Sequence, residues 1–124
     1  MIMCDINDLK KENDTYGHDV GDIYIKNCCK IICNVFTHSP VYRIGGDEFV
    51  VVLTGSDYRN REMLLSQMKG MVAAAMKIDS SENGKASFAA GMAVYDPEKF
   101  DSVGAIVREA DRQMYRNKET MKKL

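Results

Sequence analysis

The sequence predicts an α/β (α+β) fold in which a mainly antiparallel central sheet is flanked by helices. Short β-prone runs alternate with segments whose apolar residues recur every three or four positions, in the order β-α-β-β-α-β-α. Two of the β-prone runs are separated by Gly45-Gly46-Asp47-Glu48, which reads as a hairpin. At 124 residues, with 45% apolar and 28% charged residues, the chain is expected to form one domain, 1–124, with a buried core.

Residues 1–6 alternate loosely and contain no turn former, so a strand is expected to end near Asp5. Residues 7–22 are polar, with Asn13-Asp14, Gly17 and Gly21, and read mostly as loop with a short helical turn. From Asp22, the positions Ile25, Cys28, Cys29, Ile32, Val35 and Phe36 mark a helix that His38-Ser39-Pro40 ends. Runs 41–44 and 49–53 form the hairpin, where a tight turn calls for glycine at positive φ, and two glycines before two acids also clear space for a ligand to approach the backbone. A second helix is expected over 59–76, with Leu64, Met68, Met71, Val72 and Ala75 inward. A polar turn over 80–85 leads to a strand over 86–95, and Asp96-Pro97 closes it. The last helix, 101–118, turns Val103, Ile106, Val107, Ala110 and Met114 inward.

Charge and motifs exclude several functions. A net charge of −1 argues against a polybasic nucleic-acid or anionic-lipid binder. No apolar run reaches membrane-spanning length, and no secretory-type leader is recognisable. Cys4, Cys28, Cys29 and Cys33 lack metal-type CxxC spacing and read as buried small hydrophobes in a reducing cytoplasm. There is no GxxxxGK[ST] phosphate loop and no Gly-x-Ser-x-Gly. Asp5-x-Asn7 starts like a calcium loop, but the match stops at Leu9.

Asp5, at the end of the first strand, and Asp47 with Glu48, at the hairpin tip, meet at one sheet edge if the first strand is central. Mg²⁺ takes one or two carboxylates and leaves the rest of its octahedron to phosphates and water, although acidic residues in turns are also commonly just solvated. Asn13 and Asp22 could read guanine, the amide at O6 or N7 and the carboxylate at N1–H and the 2-amino group. They could equally form a turn and a helix cap. Lys118 and Lys122 share a helix face and, with Lys10, could clamp a polyphosphate or simply be solvated.

In order, Asp5-Ile6-Asn7, Leu9-Lys10, Asn13-Asp14, Gly17-His18, Gly21-Asp22, Arg43-x-Gly45-Gly46-Asp47-Glu48-Phe49, Gly91 and Ala110-Asp111-x-x-Met114-Tyr115-x-x-Lys118 resemble the GGDEF family across nearly the whole chain. The resemblance implies a palm-like core similar to nucleotidyl cyclases, and condensation of two GTP to cyclic di-GMP by a homodimer. It implies Asp5, the Ile6 carbonyl and Asp47 as Mg²⁺ ligands, two ions per active site with Mn²⁺ as the alternative. Glu48 assists at the metal, and Asp47 accepts the 3′-hydroxyl proton. Asn13 and Asp22 recognise guanine with His18 near the substrate, Lys10 stabilises the pentavalent phosphorus, and Lys118 and Lys122 hold phosphates.

The chain departs from the family pattern at Asn7, at Asp8-Leu9 and at Met121. The product-inhibition motif RxxD, nine residues before Gly45, is replaced by Phe36-Thr37-His38-Ser39, so no inhibitory site is expected. The lead-in helix and final strand of the family are also missing, which is read as truncation at both ends that leaves a sheet edge open to self-association. The resemblance places the domain in the cytoplasm, alone or as the cytosolic part of a membrane-anchored signalling protein. Sensor or receiver domains are expected in the full-length protein, without nucleic-acid or direct membrane contact. The alternatives are an inactive GTP-binding or protein-interaction module and a cyclase of altered base specificity.

Overall fold

The computed structural model describes residues 1–78 and 84–123. Its elements are β1 (Ile2–Ile6), α1 (Leu9–Tyr16), α2 (His18–Val35), β2 (Val41–Arg43), β3 (Glu48–Val51), α3 (Gly55–Arg59), α4 (Arg61–Ala75), β4 (Phe88–Met92) and α5 (Val103–Lys122). The described strands form an antiparallel sheet in the order β2-β3-β1-β4. This is the expected α/β architecture, with the first strand inside the sheet.

All five residues of β1 are buried, as suits a strand covered on both faces. Side chains alternate between faces, so Ile2, Cys4 and Ile6 point one way and Met3 and Asp5 the other. The first set joins a core with Tyr24, Cys28 and Ile32 of α2 and Met68 and Val72 of α4. The second face packs Met3, Val50 and Ala89 against Ala110 and Met114 of α5. Asp5 is thereby directed to the α5 side.

Several boundaries differ from the sequence expectation. Residues 7–22 are helical rather than mostly loop: α1 fills 9–16, and α2 begins at His18, not Asp22. No residue of α1 is buried, so it has no apolar stripe to betray it. Gly17, at φ 90°, separates the two helices, and its N–H bonds back to the Asn13 carbonyl. Asn13 and Asp14 therefore lie within a helix, and Asp22 lies inside α2 instead of capping it. On α2 the buried polar Asn27, which donates to the Lys85 carbonyl at 3.1 Å, and Tyr24 supplement the expected face. The helix ends at Val35, where the Phe36 N–H closes on the Ile32 carbonyl.

Gly45 and Gly46 do not use positive φ. Among the described residues, Gly17, Gly55, Gly84 and Asp8 occupy that region. The expected helix over 59–76 is α4, preceded across Asn60 by the short α3 that the sequence pattern did not reveal, and Met71 is exposed. The turn expected over 80–85 falls largely on 79–83, outside the described residues. The following strand is shorter than expected, Phe88–Met92. Ser102 caps α5 by accepting from the Ala105 N–H, so Val103 is a first-turn residue and is 69% exposed rather than inward.

Gly91 sets how close α5 comes to the sheet. A Cβ there would fall 2.6 Å from the Gln113 carbonyl carbon and closer still to the Met114 amide nitrogen and the Ala110 carbonyl oxygen. Gly91→Ala is expected to destabilise the fold by about 2–3 kcal/mol through backbone overpacking, measured as a lowered urea midpoint. An unchanged midpoint would mean that α5 can withdraw at no cost.

Candidate active site

The register of β1 and β3 builds the site. Asp5 pairs with Glu48 across the strands, and the Ile6 N–H donates to the Asp47 carbonyl at 2.8 Å. Like charges placed directly opposite in a sheet are normally destabilising, so this pairing is a cost that structure alone does not require. Gly46 has no atom within 4 Å of a would-be Cβ, and Gly45 meets there the Glu48 Cβ at 3.8 Å. The two glycines leave open space beside the carboxylates.

From α5, the Lys118 ammonium reaches Asp5 Oδ2 at 3.2 Å. Asp5 Oδ1 is buried and has no hydrogen-bond partner. Burial pushes the Asp5 carboxyl above its ordinary range; Lys118 opposes that, while Asp47 and Asp111 add to it. Glu48 is raised in the same direction by burial first, then by Asp5, Asp47 and Asp111. Asp111 was given no role from sequence. Its signal was its position seven residues before Lys118, on one face of α5.

A cleft of about 550 Å³ opens beside this cluster. Ile6, Lys10, Asp47, Tyr115, Lys118 and Lys122 are among its lining residues. Three sequence-predicted lysines and two of the predicted metal-site residues thus share one cavity, with Asp5 tied to it through Lys118. Lys122 also pairs with Glu119 at 3.4 Å. Asn7 Nδ2 donates to Ser87 Oγ at 2.9 Å, and the Tyr24 hydroxyl contacts the Asn7 and Ser87 carbonyls at 2.7 and 3.1 Å. These bonds hold the β1–α1 turn against the segment leading into β4. Sequence reasoning did not single out Tyr24 or Ser87, because neither lies in a charged motif.

Asn13, His18 and Asp22 do not line that cleft. They gather instead at the α1–α2 junction. The Asn13 side-chain oxygen lies directly over Gly21, where a Cβ would displace it. His18 and Asp22 are one helical turn apart on α2, and both are exposed.

Among the described residues, no three His, Cys, Asp or Glu side chains form a complete cation cage. The donors present are instead a partnerless buried carboxylate oxygen, two neighbouring carboxylates and backbone carbonyls. That set suits a hard divalent cation that completes its shell with phosphate and water.

A family model described as diguanylate cyclase, GGDEF domain, matches residues 1–124. Diguanylate cyclase A of Treponema denticola is 28% identical over 96% of this chain and 32% of its own length. The probable diguanylate cyclase DgcT of Escherichia coli is 36% identical over 97% of this chain and 27% of its own length. The cyclic di-GMP phosphodiesterase PdeR of E. coli is 32% identical over 96% of this chain and 18% of its own length. The chain therefore spans about a third or less of these relatives. The active GGEEF domain of a Vibrio cholerae diguanylate cyclase superposes with a TM-score of 0.75 at 26% identity, covering 96% of this chain and 75% of that one. The GGDEF domain of DgcB from Caulobacter crescentus, in complex with c-di-GMP, gives 0.71 at 26% identity over 96% and 71%.

The Asp5–Glu48 juxtaposition is expected to cost stability. A carboxyl whose folded pKa is raised contributes stability at acid pH that declines as pH rises through that pKa. Glu48→Gln, which leaves the Lys118–Asp5 pair intact, is expected to raise the thermal midpoint near pH 7 by about 1–5 °C. The gain should vanish below about pH 4, where the carboxylates protonate. A midpoint that falls at pH 7 would show that Glu48 stabilises the fold.

Proposed function

The chain belongs to the GGDEF family of diguanylate cyclase domains, and on that premise we propose that it condenses two GTP into cyclic di-GMP with release of two pyrophosphates. The observation that carries the reading is the convergence of Asp5, Asp47 and Glu48 on one sheet end, with Asp5 Oδ1 partnerless and three lysines lining the adjoining cleft. Such convergence is expensive for a fold and useful for a polyphosphate reaction.

Asp5, the Ile6 carbonyl, Asp47 and Glu48 would hold Mg²⁺, two ions per active site, with Mn²⁺ as the alternative. When bound, the metal neutralises phosphate charge and polarises the phosphoryl oxygens. Asp47 accepts the proton of the ribose 3′-hydroxyl as that oxygen bonds the α-phosphorus of the facing GTP and the bond to pyrophosphate breaks. Lys10, at the start of α1, meets the charge that develops at phosphorus. Lys118 and Lys122 hold the departing phosphates. An ammonium has three donors, so Lys118 can keep one on Asp5 while it does so. Asn13 and Asp22 read the guanine edge, Gly21 leaves room for the Asn13 amide, and His18 lies beside the base. A second chain facing the first supplies the other half of a two-fold product, so the acting unit is a homodimer.

The reaction belongs in the cytoplasm. Among the described residues, no helix is long and apolar enough to cross a membrane. Sensor or receiver domains in the full-length protein would bring two copies together. The kinship to PdeR, named as a phosphodiesterase, favours as second reading a GTP-binding or interaction module without catalysis.

Incubation of the dimer with GTP and Mg²⁺ is expected to yield cyclic di-GMP on chromatography, with ATP inert. Asp47→Asn is expected to lower turnover at least about 100-fold, the usual range for losing a general base. GTP binding without product would establish the second reading, and a preference for ATP would establish altered specificity. Gly21→Ala is expected to preserve the fold yet raise the KM for GTP about tenfold, the equivalent of one hydrogen bond to the base. An unchanged KM would remove Asn13 from recognition. Cyclic di-GMP is expected to show no tight site outside the GTP pocket. Tight product binding that survives mutation of Asn13 and Asp22 would contradict that.

A further inference from the structure

The cysteines depart from the sequence expectation. Cys4 and Cys28 are buried, but Cys29 is half-buried and Cys33 is exposed. Cys29 and Cys33 are one helical turn apart on α2, and their sulfurs lie 3.8 Å from each other. Neither lines the cleft of the candidate active site.

Both sulfurs are within thiol–thiol hydrogen-bond reach, and the same separation bears on the other roles open to two thiols. A disulfide needs Cβ atoms about 3.5–4.5 Å apart. Neighbours four apart on a helix hold them about 5–6 Å apart. Closing the bond would therefore distort a turn that also carries Cys28 and Ile32 into the core. A linear ion with bonds of about 2.3 Å would need sulfurs about 4.6 Å apart. A tetrahedral ion with the same bond length subtends about 110° and needs about 3.8 Å, which the side chains already provide.

We propose that Cys29 and Cys33 form a bidentate thiolate site for a soft, tetrahedral divalent cation of the zinc type. Among the described residues, no third His, Cys, Asp or Glu side chain completes a cluster. The remaining two positions open to solvent on the Cys33 side and are taken by water or by the same pair from a second copy. Thiolate selects such an ion over Mg²⁺, which prefers oxygen, so the site is chemically separate from the carboxylates of the cleft.

The test uses the full chain, reduced with a phosphine, and Co²⁺ as a spectroscopic probe. A thiolate-to-cobalt charge-transfer band is expected, saturating at one ion per chain, or one per two chains where copies share it, and displaced by Zn²⁺. Cys29→Ser and Cys33→Ser should each weaken binding more than about tenfold, since loss of even a supporting residue at a metal site costs about 10–100-fold. Circular dichroism reports whether each variant is folded, and the exposed Cys33 gives a variant that leaves the core untouched. Absence of the band at saturating Co²⁺, or equal binding by folded Cys33→Ser, would overturn the proposal.

Discussion

Everything at the candidate site depends on the pairing of Asp5 with Glu48 between two strands of the sheet interior. β1 can be central because its residues are apolar on both faces up to the point where Asp5 appears. Alternation then sends Asp5 to the α5 face, and the antiparallel register puts Glu48 opposite it. The same register brings the Asp47 carbonyl onto the Ile6 amide. A slip of β3 by one residue against β1 would turn Glu48 to the opposite face, away from Asp5 and Lys118, and would misplace the core residues of β3. Apolar burial thus fixes the position of the charges, and the Lys118–Asp5 pair joins α5 to the strand it covers.

The helix opposite supplies what the sheet cannot. Gly91 admits α5 to near-backbone contact, so Lys118 reaches Asp5 without a long detour through solvent. Asp111, Lys118 and Lys122 occupy one side of that helix, while Ala110 and Met114 bury the adjacent side. Farther along, Asn117 Oδ1 accepts the Ala90 N–H at 2.9 Å, so α5 also hydrogen-bonds the strand it covers. Packing and chemistry are therefore adjacent stripes of the same helix, and loss of the first would misplace the second.

The antiparallel sheet and its hairpin were legible because hydrophobic periodicity and turn chemistry record them directly, whereas the central place of β1 entered only as a condition and the strand order was not read. Asp5, Asp47 and Glu48 were legible for the same reason: each stands where a strand ends or turns. Residues 7–22 were misread because α1 buries nothing, leaving polar composition as the dominant signal and a loop as its default meaning. Gly45 and Gly46 were correctly placed, and of the two uses read for them the structure shows open space rather than positive φ. Tyr24 and Ser87 could not be found from local pattern, because their shared hydrogen bonds join segments 63 residues apart. The exposed cysteine on α2 was hidden by the general tendency of cysteine to be buried, which half of the four obey.

The connection between α1 and α2 consists of Gly17 alone. Most helix pairs are joined by several residues whose number can drift without harm. Here one φ,ψ pair sets the angle between the two helices, and an inserted or deleted residue would rotate α1 by about 100° relative to α2. At about 1.5 Å of rise per residue, the eight residues of α1 are a ruler about 12 Å long. One end lies at the lysine-lined cleft and the other at the Asn13, His18 and Asp22 cluster. Under the proposed function, the spacing between the groups assigned to the phosphates and those assigned to the base is counted in helical residues, so a length change in this polar, unburied segment would shift one set against the other.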